Sequence, residues 1–232
     1  MLYYNTMQPP GGILSGINIR EAVKAGDIDI TGFEEKRLNP ASYDLLLGRH
    51  VAVYRALVQA GSADDWDCDA MREDGSWGIP GERLRPRYAP GERIAAHAGV
   101  NCLDSAKENR VARYEMDDRG LLLLPGIGYL MHTEERIRTN KYVPIVDGKS
   151  SIGRLFCFVH VTAGYGDPGF DGQYTLEVAV LHPLVVYPGM RFCQMRFHTL
   201  VGDVQSYQDK GNYKGELAKG PIPSQSWKMF QG

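Results

Sequence analysis

The sequence predicts a mainly β chain, its strands packed into a sandwich or barrel, and three observations point that way. The first is punctuation. Six Pro-Gly dipeptides begin at Pro10, Pro80, Pro90, Pro125, Pro168 and Pro188. Pro presets φ for one turn corner and Gly supplies the positive φ of the next, so each marks a type II turn. The second is what lies between the turns. Short β-rich runs occur at Leu121 to Leu124, Gly128 to His132, Tyr142 to Val146, Leu155 to Val161, Tyr174 to Leu181, Leu184 to Tyr187 and Arg191 to Phe197. Several are apolar at both parities, as strands inside a sandwich or barrel are. The third is the scarcity of helix. One segment carries the signature, with Asn18 as cap, Glu21 three residues on as in a capping box, Ile19, Ala22 and Val23 as apolar face, and Gly26 as stop.

The bulk properties narrow the class. At 232 residues, 43% hydrophobic and 23% charged, the chain has the composition of an ordinary globular protein, long for one domain and short for two. Lys+Arg 26 against Asp+Glu 28 leaves a net charge of -2. That balance argues against a nucleic-acid partner held by bulk phosphate neutralisation, while a single triphosphate needs only a few placed cations. No apolar run approaches the roughly 18 residues of a membrane span, and the opening MLYYNTMQPPGG lacks a signal-peptide layout. Cys68, Cys102, Cys157 and Cys193 are scattered, with no CxxC pair for zinc or redox work, and Cys157 and Cys193 read as buried thiols. A reduced, cytoplasmic protein with no membrane association is the expectation. Residues 56–118 are polar and turn-rich and read as an elaboration inserted on the β core. The tail, about 207–232, is punctuated by Gly, Pro and Ser, and such tails are either disordered or folded over a site.

Lys149-Ser150-Ser151-Ile152-Gly153-Arg154 lies between two apolar runs, and its two cations and two hydroxyls would suit a phosphate cradle as well as a plain polar turn. The order GxxxxGK[ST] is missing, so it is not a P-loop. His160 sits in an apolar run, where a satisfied core histidine is the ordinary reading. Asp167 precedes Pro-Gly and is a natural turn starter. Glu177, inside Tyr174-Thr175-Leu176-Glu177-Val178, is a lone carboxylate that needs a partner or a job if it faces inward. His132-Thr133-Glu134 matches the H-x-E of zinc nucleobase deaminases, but the P-C-x-x-C that completes that motif is absent. G-x-S-x-G is absent as well.

In chain order, several segments together resemble the homotrimeric dCTP deaminases of the dUTPase-like superfamily. They are Ile13-Leu14-Ser15, Arg20-Glu21-Ala22, Asn39-Pro40-Ala41-Ser42-Tyr43-Asp44-Leu45, Leu122 to Gly126, the dense stretch Lys149 to Gly172, Thr175-Leu176-Glu177, Tyr187 to Met190 and Gly220 to Ser224. The stretch 56–118 has no recognised counterpart.

The resemblance implies a distorted jelly-roll or β-barrel of the dUTPase-like type, assembled as a homotrimer with active sites between subunits. It implies hydrolytic deamination of a deoxycytidine nucleotide, dCTP to dUTP and ammonia, without a protein-bound catalytic metal; Mg2+ would arrive on the triphosphate. A dUTP diphosphatase or a bifunctional deaminase forming dUMP is the alternative, and a non-catalytic nucleotide sensor the reading from another class. By resemblance, Glu177 is the general acid/base, Ser150 and the carbonyl of Ala163 orient the attacking water, and Arg154 holds the glutamate and developing charge. Lys149, Ser151 and Arg154 would grip phosphates, Asp167 the sugar hydroxyl, and Thr175, Leu176 and Tyr207 the nucleotide. Regulation by dTTP is a family expectation. One departure stands out. Asn212 and Glu216 occupy positions where the family commonly carries Lys and Gln, leaving Lys210 or Lys214 to reach the phosphate tail.

Overall fold

The computed structural model describes residues 11–54, 103–160, 163–213 and 220–231. The first element is the expected helix, α1 (Gly16–Lys24), but its cap lies earlier than Asn18. Ser15 is the N-cap, its hydroxyl accepting from the Asn18 amide at 3.3 Å, because Ser15 sits in extended backbone just before the first turn. The helix buries Ile19 and Ala22.

Strands follow almost without interruption. β1 (Ile28–Ile30), β2 (Tyr43–Leu46) and β3 (His50–Tyr54) precede the segment outside the described residues. After it come β4 (Val111–Glu115), β5 (Leu121–Leu123), β6 (Tyr129–Thr139) and β7 (Tyr142–Gly148). A single helical turn, α2 (Ser150–Gly153), leads into β8 (Cys157–Phe158), β9 (Asp171–Val180), β10 (Leu184–Val186) and β11 (Arg191–Thr199). One more turn, α3 (Tyr207–Lys210), opens the tail. Most of the elementary expectations hold. Gly126, Gly169 and Gly189 of the Pro-Gly pairs take φ of 81°, 90° and 75°, the positive corner of a type II turn.

One expectation needs revision. Among its described residues, the run Leu155 to Val161 forms ladder only at Cys157–Phe158, since α2 is followed by a tight turn with Phe156 at φ 54°. The end of the stretch 56–118, read as an elaboration on the β core, joins that core directly. β4, within it, pairs with β3 from His50↔Glu115 to Tyr54↔Val111.

All named pairings are antiparallel. One sheet runs β4-β3-β6-β9-β8, with β1 pairing the far end of β6; a second runs β2-β11-β7; β5 and β10, distant in sequence, form an antiparallel two-stranded sheet. No closed barrel forms among the described residues. Tyr129, Met131, Ile137, Leu176 and Val178 from the first sheet meet Tyr43, Leu45, Phe192, Met195 and Phe197 from the second in one buried cluster. Cys157 and Cys193 are free and buried, as expected. The β6–β9 register shifts between His132 and Arg136. There Thr133 Oγ1 donates to the Glu135 carbonyl at 2.9 Å and accepts from the Tyr174 amide at 2.9 Å. Glu135 turns inward onto buried Arg37 and accepts from the Leu46 amide at 3.1 Å. No helix among the described residues is long and apolar enough to cross a membrane.

Candidate active site

Strand alternation decides which way Glu177 faces. On β9, Leu176, Val178 and Val180 are buried in the core, so Gln173, Thr175 and Glu177 project from the opposite face. There they line a cavity of about 460 Å³. Its second wall is the β8–β9 connection, with Ala163, Gly166, Asp167 and Phe170. This connection runs along β7, where Val146 N–H donates to the Gly164 carbonyl and Gly166 N–H to the Pro144 carbonyl, both at 2.8 Å. The approach leaves no room for larger residues. A Cβ at Gly164 would lie 2.4 Å from the Val146 carbonyl.

The third wall is the tail. Tyr207, Tyr213, Ile222 and Ser224 all line the cavity. Side chains of the main sheet hold the tail there. Thr175 Oγ1 accepts from the Ile222 amide at 3.0 Å, and the Tyr54 hydroxyl from the Ser224 amide at 2.8 Å. The Gln173 carboxamide accepts from Gly220 N–H at 3.3 Å, and Arg113 donates to the Pro221 carbonyl at 2.8 Å. Phe170 packs edge-on against both Tyr174 and Tyr207, with centroids at 4.9 and 5.5 Å.

Glu177 and Asp167 are the two carboxylates lining this space among the described residues. Burial raises the Glu177 pKa above the usual carboxylate range, while the charge of His160 and a backbone hydrogen bond pull it back. A raised carboxyl pKa is what general acid/base work near neutral pH calls for. His160 is half-buried, and its Nδ1 has no hydrogen-bond partner among the described residues.

Of the residues expected at the site, Ala163, Asp167, Thr175, Glu177 and Tyr207 come together here. Leu176 does not: its side chain is fully buried in the core, because it has the wrong parity on β9. Lys149, Ser150, Ser151 and Arg154 form a second group on and beside α2 and are not among the residues that line the cavity. Ser150, Ser151 and Arg154 are exposed, and Lys149 bonds both carboxylate oxygens of Asp44 at 2.8 Å. Lys210 is exposed on α3 and is not a lining residue. Lys214 and Glu216 lie outside the described residues. Tyr54, Gln173, Tyr213, Ile222 and Ser224 line the site without having been expected. Gln173 shares the parity of Thr175 and Glu177, a signal readable in sequence; nothing local marks the others.

The H-x-E histidine serves structure. His132 is buried, and desolvation lowers its pKa to about 4. Its Nδ1–H donates to the Thr133 carbonyl at 2.8 Å and its Nε2 accepts from the His50 amide at 3.2 Å, so both ring nitrogens are occupied. No group of three His, Cys, Asp or Glu side chains among the described residues is arranged to hold a metal ion.

A mainly β fold whose cavity sets two carboxylates among aromatic rings is a site for a small polar ligand. A family model described as dCTP deaminase-like matches residues 13–77 and 83–200. A relative in Cytophaga hutchinsonii named "dCTP deaminase, dUMP-forming" is 36% identical over 219 residues, covering 94% of this chain and 99% of its own. One of the same name in Leptospira biflexa is 35% identical, covering 94% and 98%. The crystal structure of the Agrobacterium tumefaciens 2'-deoxycytidine 5'-triphosphate deaminase superposes with a TM-score of 0.52 at 19% identity. It covers 89% of this chain, which spans 54% of that one, and shares its fold. The chain belongs to the dCTP deaminase-like family and is an enzyme.

Proposed function

We propose that this enzyme deaminates dCTP and carries the product on to dUMP, so that dCTP and two waters become dUMP, diphosphate and ammonia. The observation that carries the first step is Glu177, a half-buried carboxyl with raised pKa aimed into an aromatic-walled cavity. Glu177 takes a proton from water as the water attacks C4 of cytosine, then delivers it to the departing amine. The Ala163 carbonyl and the Ser150 hydroxyl orient that water, and Arg154 stabilises the developing charge. Asp167 takes the sugar hydroxyl, with Tyr207 beside the nucleotide.

The second step is hydrolysis at the α-phosphorus, with diphosphate as leaving group and Mg2+ carried by the triphosphate. The names of the relatives support dUMP as the end product in preference to the dUTP of the simpler deaminase reading. Because α2 does not line the cavity of its own chain, Ser150 and Arg154 reach the site from a neighbouring subunit of a homotrimer. The exposed Leu155, Phe156 and Phe158 beside α2 offer an apolar surface for that contact. The same cavity would admit dTTP as a regulator. The test is product analysis. Incubation with dCTP and Mg2+ should yield dUMP, diphosphate and ammonia. Accumulation of dUTP without dUMP would restore the simpler reading, and unchanged dCTP would refute deamination.

A further inference from the structure

The segment 39–44 has no part in the cavity, yet its polar side chains converge on the root of α2. Asp44 lies on β2 with its side chain 1% exposed. A carboxylate at that depth must be met by fixed donors. Asn39 Nδ2 donates to Oδ1 at 2.7 Å, Lys149 Nζ to both oxygens at 2.8 Å, and Arg191 Nη1 to Oδ2 at the longer distance of 3.4 Å. Lys149 is thus the main counter-charge of a buried acid. Moving its ammonium to a phosphate would leave Asp44 with one amide and a distant guanidinium.

A second link runs in parallel. β11 lies between β2 and β7, and its Gln194 is in register with Asp44 on one side and Asp147 on the other. The Gln194 side chain accepts from the Ser42 hydroxyl at 2.7 Å and donates to the Gly148 carbonyl at 2.9 Å. Gly148 and Lys149 are the two residues from which α2 starts. The Lys149 carbonyl accepts from the Ile152 and Gly153 amides at 2.9 and 2.8 Å, and no side chain caps the turn. Four residues cannot hold a helical orientation unaided, so the direction of Ser150 and Arg154 comes from this root.

We propose that Asp44 is a positioning residue for deamination: through Lys149, and with Gln194 in support, it fixes α2 so that Ser150 and Arg154 point correctly. Lys149 serves this clamp and does not read the triphosphate. The inference rests on the deaminase reading above, and its test separates the two.

The experiment measures kcat and KM for dCTP and dCMP with wild type, Asp44→Asn, Lys149→Met, the double variant, Lys149→Arg and Gln194→Leu. A misplaced catalytic group costs on the order of 10- to 100-fold, so both Asp44→Asn and Lys149→Met should lower kcat by about that factor. The double variant should be no slower than the slower single, since the two residues act as one unit. The preference for dCTP over dCMP should stay within about twofold of wild type throughout. Lys149→Arg, which keeps the link to Asp44, should restore most of kcat, and Gln194→Leu should lower kcat without touching that preference. Hydrogen exchange at the amides of Ile152, Gly153 and Arg154 gives a second readout that needs no turnover. It should speed up in Asp44→Asn and Lys149→Met while core amides of β9 stay protected. Loss of dCTP preference in Lys149→Met alone, with Asp44→Asn kinetically normal, would make Lys149 a phosphate reader and overturn the clamp; so would unchanged exchange at α2. If wild type does not deaminate dCTP, the functional reading fails, and the exchange experiment still decides the clamp.

Discussion

At the scale of the residue, Glu177 carries both the proposed chemistry and a cost. Burial raises its pKa, so between its ordinary value near 4.5 and the raised one the folded chain binds more protons than the unfolded chain. Stability therefore falls as pH rises through that window, and the penalty persists at neutral pH. Glu177→Gln removes the titration while keeping size and hydrogen bonding. Two results are expected. Turnover of dCTP should drop by about 10²–10⁴-fold with nucleotide binding retained. Thermal unfolding at pH 7 should show a variant at least as stable as wild type, the difference shrinking at and below pH 4.5. Near-normal turnover would remove Glu177 from the mechanism; a variant markedly less stable at pH 7 would contradict the buried-carboxylate account. That Glu177 would need a partner or a job if it faced inward was legible in the sequence, where it is a lone acid in an apolar run. Its direction was not, because strand parity is fixed only when the neighbouring strands are known.

At the scale of the element, the strands were readable where local rules govern them, and unreadable where long-range partners do. Pro-Gly corners and β-rich runs located β5, β7, β9, β10 and β11 closely, while β6 extends well past its expected end and β8 is shorter than its run. The helix cap was misread by three residues because both Ser15 and Asn18 are good caps, and only the backbone bend distinguishes them. The register shift in β6 had no local signal at all. It depends on Glu135 turning inward to meet Arg37, a residue almost a hundred positions earlier in the chain. Arg37 is 3% exposed and also donates to the Gly32 carbonyl, with its guanidinium 4.9 Å from the Tyr43 ring centroid. Burial pushes the Glu135 pKa up, while backbone amides and Arg37 draw it down. Replacing Glu135 by Leu leaves a buried guanidinium with only the longer, partly exposed Glu34 contact at 3.8 Å, and breaking a buried pair typically costs about 3–5 kcal/mol. Urea denaturation should show that loss. A loss under about 1 kcal/mol would mean that water or the existing Glu34 contact suffices for Arg37, and that the irregularity in β6 does not depend on the pair.

At the scale of the whole molecule, the expected site residues fall into two groups, and the division itself carries information. Ala163, Asp167, Thr175, Glu177 and Tyr207 share one cavity, while Ser150, Ser151 and Arg154 stand exposed at α2. Sequence could suggest both groups, since each lies in a dense motif, but it holds no record of which motif faces which copy of the chain. The proposed homotrimer unites them by bringing α2 of one subunit to the cavity of the next. That arrangement makes a quantitative prediction. Glu177→Gln and Arg154→Ala subunits should each be nearly inactive alone. Dissociated, mixed in equal amounts and reassembled at random, they form interfaces in which Glu177 comes from one subunit and Arg154 from its neighbour. In a cyclic trimer each site needs an intact residue from two specified subunits, and random mixing supplies both in about one site in four. Activity should therefore recover to about a quarter of wild type, and it should follow the product of the two fractions as the mixing ratio is varied. The control is two variants from the same group, Glu177→Gln with Asp167→Ala, which draw on one subunit's wall and should gain nothing beyond the two parents when mixed. Failure of the first mixture to recover, with sedimentation confirming mixed trimers, would mean that each chain builds its site alone and that α2 must move to reach its own cavity.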